Sequence, residues 1–162
     1  SFGNGTVEMP LRVERTLHEG RDAMRFVMPN GYTVLEPSTA WTIATFDPQG
    51  RPGLRYDPPF GPPWPLAVGK TATQQLRVSA GQNPSVPMTT TWTVEGVEEV
   101  VVPAGAFRAW RVGLVDSFGH RQTSWSVPDA LGIFARRESS RPPGHPQGEG
   151  TQRWELLSGP RR

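Results

Sequence analysis

Hydrophobic and polar residues alternate along most of this chain and do not recur with the period of a helix. In residues 6–15 the apolar side chains Val7, Met9, Leu11 and Val13 fall on every second position, the pattern of a strand with one buried face. A polar turn from His18 to Arg21 precedes an apolar-rich segment at 23–28. Pro29, Asn30 and Gly31 then make a second turn before 32–35. Trp41, Ile43 and Thr45 alternate with Thr42, Ala44 and Phe46, which offers apolar groups to both faces and predicts a central strand over 41–47. It closes at Asp47, Pro48, Gln49 and Gly50, where proline sets φ and glycine admits positive φ.

Strand signals lapse after Arg51. Residues 57–65 carry Pro58, Pro59, Pro62, Pro63 and Pro65, which leave too few backbone donors for a helix or a central ladder. This stretch reads as an extended, polyproline-like surface loop. Phe60 and Trp64 are its candidate anchors, either as a lid packed against the chain's own sheet or as a segment docked into a partner's aromatic groove. The expectation is the self-packed lid. Strands resume at 74–78, 89–95, 98–102, 106–115, 121–127, 131–138 and 152–157. Hairpin connectors fall at Pro103, Ala104 and Gly105, at Ser117 to Gly119, and at Pro128 with Asp129. Residues 141–150, rich in glycine and proline, read as an exposed loop. About ten short strands without a long amphipathic helix predict one all-β domain over 1–162. Its expected architecture is a single antiparallel curved sheet, a half barrel or barrel-like, with a β-sandwich as the alternative.

Composition sharpens this picture. Glycine and proline number 18 each, about a fifth of the 162 residues, which suits frequent turns; six Trp and seven Phe supply the buriable area that disordered segments lack. The formal net charge is +2, and Lys70 is the only lysine. The arginines Arg12, Arg15, Arg21, Arg25, Arg51, Arg55, Arg108, Arg111 and Arg121 are interleaved with acids and apolar residues, which argues against a nucleic-acid surface. Absence of cysteine excludes disulfides, thiolate ligands and thiol nucleophiles. No apolar run is long enough to span a membrane as a helix. A start at Ser1 is compatible with a removed leader or lipid anchor.

Candidate chemistry is sparse. His18, His120 and His145 each sit in a predicted turn and have no metal-ligand spacing, so no metal or cofactor is expected. Asp116, Ser117 and His120 are close in sequence but read as a hairpin loop and not as a hydrolase triad. Glu95, Glu98 and Glu99 resemble a paired-carboxylate site and also a charged strand end that discourages aggregation. No catalytic residue is assigned. The aromatic residues Trp92, Trp110, Trp125 and Trp154 lie on late strands and form a candidate binding face, with ordinary core filling as the alternative.

The run Trp92 to Val100, then Val102, Pro103, Ala104, Gly105, Ala106 and Phe107, resembles a Val-Pro-Ala-Gly-x-Phe hairpin of uncharacterised bacterial envelope proteins. Trp125 with Val127 and Pro128, and Pro65, Leu66, Gly69 and Lys70 upstream, add to the likeness, which covers roughly 65–157. Such proteins are similar to periplasmic, lipoprotein-type half barrels, also described as β-clams. The resemblance implies a periplasmic, outer-membrane-associated or extracellular location and implies no catalytic residue. The leading functional expectation is therefore a non-enzymatic envelope protein whose sheet binds or assembles with other envelope proteins. A clam holding a lipid or small apolar ligand is the first alternative, and a cell-wall carbohydrate hydrolase the second.

Overall fold

The computed structural model describes residues 5–128, 130 and 132–159. It shows an all-β protein with eleven strands in one antiparallel sheet, each strand hydrogen-bonded to its neighbours in chain order. The strands are β1 (Arg12–His18), β2 (Arg21–Met28), β3 (Gly31–Leu35), β4 (Thr42–Phe46), β5 (Pro52–Phe60), β6 (Thr71–Ala80), β7 (Val86–Val102), β8 (Gly105–Asp116), β9 (Arg121–Ser126), β10 (Phe134–Arg141) and β11 (Gly150–Glu155). β1 and β11 stand at the two ends of this order, so the sheet is not closed. Among the described residues no helix is long and apolar enough to cross a membrane.

The meander follows from turn chemistry. Pro103 and Ala104 alone link β7 to β8, with Val102 opposite Gly105, as the sequence predicts. The Asp47 carboxylate accepts the backbone N–H groups of Gln49 and Arg51, each at 2.9 Å, and so closes the β4–β5 turn.

Three expectations are corrected. β1 begins at Arg12, and Val7, Leu11, Val13 and Leu17 are all exposed, so alternation at the N-terminal end does not mark a buried face. The proline-rich loop expected at 57–65 starts instead as strand, because β5 runs to Phe60 between β4 and β6. Its ladder with β6 stops at Asp57 opposite Arg77. On the β4 side, Thr42 pairs Phe60 and Ala44 pairs Arg55, so Pro58 and Pro59 sit in a bulge that asks no N–H of them. Finally, the two strands expected at 89–95 and 98–102 are one strand, β7, which a bulge at Glu95 interrupts without ending.

The chain packs as two compact units whose boundary runs through β6 and β7. One comprises Gly5–Gly61 and Gln75–Met88. It buries Ala23, Val34, Leu35, Ala44, Leu76 and Met88, and stacks Tyr32 on its cross-strand partner Phe46 at 5.0 Å. His18, expected in an exposed turn, ends β1 and is largely buried near the Phe46 ring at 6.1 Å. The other comprises Pro62–Gln74 and the chain from Thr89 onward. It buries Trp92, Val94, Val112 and Leu114, and a cluster of Val100, Val102, Ala109, Trp125 and Ala135.

Phe60 belongs to the first unit, where it stacks on Tyr56 at 4.9 Å; Trp64 belongs to the second and is 44% exposed. With so much of its indole in water, Trp64→Ala should lower stability by less than about 1 kcal/mol in denaturant unfolding, as exposed positions do. A loss of several kcal/mol would restore the lid reading.

Candidate functional site

Within the second unit, strands β7 to β11 pair in chain order, with register shifts between Val94 and Gly96 and between Phe134 and Arg136, and residues directly opposite one another share a face. One cross-strand row runs Thr93, Gly113, Thr123, Glu138, Arg153; the next on the same face runs Thr91, Val115, Arg121, Ser140, Thr151. These two rows make the floor of an open groove of about 670 Å³. The sequence signal for it is the alternation in β7, where exposed Thr89 and Thr91 interleave with buried Met88, Thr90 and Trp92.

Most residues lining the groove are polar, and both of its carboxylates lie beside an arginine. Glu95 is the extra residue of the β7 bulge, and it reaches over Gly113, the one position of its row without a side chain. A Cβ on Gly113 would lie 2.6 Å from the Glu95 Oε1. Glu95 pairs with Arg111 at 2.7 Å, and Glu138 lies 3.9 Å from Arg153. Thr91, Thr93, Thr123, Thr151 and Ser140 add hydroxyl groups that both donate and accept. Such a lining suits a polar ligand more than an apolar one.

A third row on this face, Gly96, Arg111, Trp125, Arg136, Glu155, lies beside the groove. The Arg111 and Arg136 guanidiniums lie 5.7 and 5.4 Å from the Trp125 ring. The indole N–H donates to Glu98 at 2.6 Å, and Glu98 lies 3.8 Å from Arg111. Glu95 and Glu98, weighed above as a carboxylate pair, are thus both engaged by one guanidinium.

The register separates the four tryptophans. Trp92 lies opposite Leu114, Trp110 opposite Val97, and Trp154 opposite Arg137, all on the face away from the groove; Trp125 is on the groove face. They do not form one stripe. Trp92 and Trp125 are buried, whereas Trp110 and Trp154 are half-buried.

Asp116, Ser117 and His120 form the β8–β9 turn. Asp116 accepts the backbone N–H groups of Phe118 and His120 at 2.9 and 3.1 Å, while the Ser117 hydroxyl accepts the Thr89 N–H at 3.0 Å. The serine therefore ties the turn to β7. Burial opposes ionisation of Asp116, but hydrogen bonds from the His120 side chain and from the backbone of His120 and Phe118 outweigh it and hold the carboxyl below its ordinary value. His145, from the β10–β11 loop, approaches the His120 ring at 6.5 Å and Phe118 at 6.2 Å. Among the described residues no group of three or more His, Asp or Glu is placed to hold a metal ion.

Burial first, then the charges of Arg141 and His120, hold His145 below its ordinary 6.5, against an opposing pull from Asp116. A base whose folded pKa is depressed is protonated first in the unfolded chain, so stability falls as the pH drops below 6.5. Asp116 adds a second loss, in more acid solution, as pH falls below 3.8. The melting temperature is expected to decline between neutral pH and about pH 5, with a shallower decline in His145→Gln. Equal slopes for the two proteins would assign the decline elsewhere.

Comparison of the chain with protein-family models, with curated proteins and with solved structures gives no match.

Proposed function

We propose that this chain is a non-enzymatic binding module of the bacterial envelope, whose groove across β7 to β11 receives a polar segment of a partner protein. The observation that carries this reading is the groove itself: two cross-strand rows of side chains on paired strands, dominated by hydroxyls, with Glu95 and Glu138 each beside an arginine. A rigid sheet that presents donors and acceptors in fixed register is suited to recognition, because little side-chain entropy is lost on docking. Carboxylates held by guanidiniums serve this scaffold better than proton transfer. The envelope location rests on the sequence resemblance around the Pro103 hairpin.

Selection of displayed peptides on the purified chain tests the proposal. Polar segments carrying hydroxyls and both signs of charge should be enriched, and their binding should be lost in Thr123→Arg, which fills the groove, with the melting temperature unchanged. Binding indifferent to Thr123 would overturn it, as would turnover in a hydrolase panel that a single substitution abolishes.

A further inference from the structure

Arg137 differs from the arginines around it. Arg136 lies 3.5 Å from Glu155, Arg153 is flanked by Glu138 and Glu155, and Arg111 pairs with Glu95 at 2.7 Å. Arg137 has no carboxylate within ion-pair distance among the described residues. Its Nε donates to the Ser124 hydroxyl at 3.4 Å, and its guanidinium lies over the Phe134 ring, 3.9 Å from the centroid. Protein atoms crowd the group closely enough for burial to push its pKa down to about 10, although the residue keeps some accessible surface.

A desolvated cation without a counter-ion is costly, and the cost is offset when an anion arrives. Stacking on Phe134 and the bond to Ser124 fix the plane of the guanidinium, so the remaining N–H groups are preorganised for two parallel bonds to an oxyanion. Apolar and aromatic side chains lie on one side of it, and the Gln122 amide, on the other, donates to the Ser124 hydroxyl at 3.2 Å. Arg137 belongs to the row Val94, Val112, Ser124, Arg137, Trp154 on the face away from the groove. Val94 and Val112 are buried, and Trp154 is half-buried directly opposite Arg137.

We propose that Arg137 anchors a second binding site, which takes the carboxylate of a small amphiphile while the apolar body of that molecule lies along Phe134 and Trp154. The site is separate from the polar groove and does not depend on the reading given to it.

Titration of the full chain with decanoate, decanol and acetate, followed by calorimetry and tryptophan fluorescence, tests the assignment. Decanoate should bind saturably. Decanol, which lacks the charge, should bind at least about tenfold more weakly, since bonds to charged groups contribute more than that factor. Acetate, which lacks the apolar body, should not saturate. Arg137→Met should weaken decanoate at least about tenfold while unfolding at no lower denaturant concentration than the parent, because it removes an unpaired charge. Arg137→Lys keeps the charge and loses the planar fork, and should weaken decanoate to a smaller degree; it carries the test if the methionine variant fails to fold. Failure of decanoate to bind, equal binding of decanol, or undiminished binding by whichever variant folds would overturn the proposal.

Discussion

Replacement of Trp125 by alanine is expected to lower the stability of the protein by about 3–5 kcal/mol, the range for deletion of a buried large aromatic side chain. Trp125 is 7% exposed and packs in the cluster with Val100, Val102, Ala109 and Ala135, with Phe107 and Val127 against it. Its loss would open a cavity beneath strands held by their own ladders, so collapse could recover only part of the contact. It would also leave Glu98 without its indole donor and remove the ring from between Arg111 and Arg136. Trp125→Phe separates these terms: it keeps most of the packing, loses the N–H, and should cost about 1–2 kcal/mol. Urea unfolding of both variants provides the measurement. An alanine variant within about 1 kcal/mol of the parent would mean that the cluster is not a core.

The second large effect is expected at Gly31, which begins β3. Its φ is +141°, a region L side chains rarely adopt, and a Cβ there would lie 2.2 Å from the backbone oxygen of Phe46 on β4. Gly31→Ala therefore combines backbone strain of about 1–3 kcal/mol with an overpacking cost of similar size. A carbonyl already in a sheet ladder cannot swing away as a side-chain tip would. Gly20→Ala is the control: its φ is +77° but nothing lies within 4 Å of the added carbon. It should show the conformational cost alone, about 1–2 kcal/mol. Trp41 is the one tryptophan of the unit that holds both glycines, so its fluorescence follows the unfolding of that unit. Equal losses for the two variants would remove the clash with β4 as a cause.

Most strands were legible because their signal is local. A period of two, bounded by turn residues, reports which segments are extended, and it located β2, β3, β4, β8 and β9 to within a residue or two. The hairpin of Pro103 and Ala104 was equally readable, since turn chemistry acts over a few bonds. β5 was missed because its prolines deny donors to an ordinary ladder, and only the neighbouring strands show that a bulge at Pro58 and Pro59 removes that demand. The groove was half visible: the threonines of β7 announce a polar face, but the sequence does not say that Thr123, Ser140 and Thr151 stand beside them.

The sequence by itself determined an antiparallel all-β chain connected hairpin by hairpin, because alternation and turn propensity are set by residues next to one another. Tertiary structure alone decided which face each side chain occupies. Register accumulates from strand to strand, and it is shifted by the extra residue at the β7 bulge and again between Phe134 and Arg136 on β10. Trp125 parts from Trp92, Trp110 and Trp154 because β9 sets it opposite Arg111 and Arg136, the neighbours of Trp110 and of Arg137, which is opposite Trp154. The pairing of Arg137 with Ser124 likewise puts it, one arginine among many in the sequence, over Phe134 with no carboxylate in ion-pair distance among the described residues: the acids that pair with its neighbours face the other way.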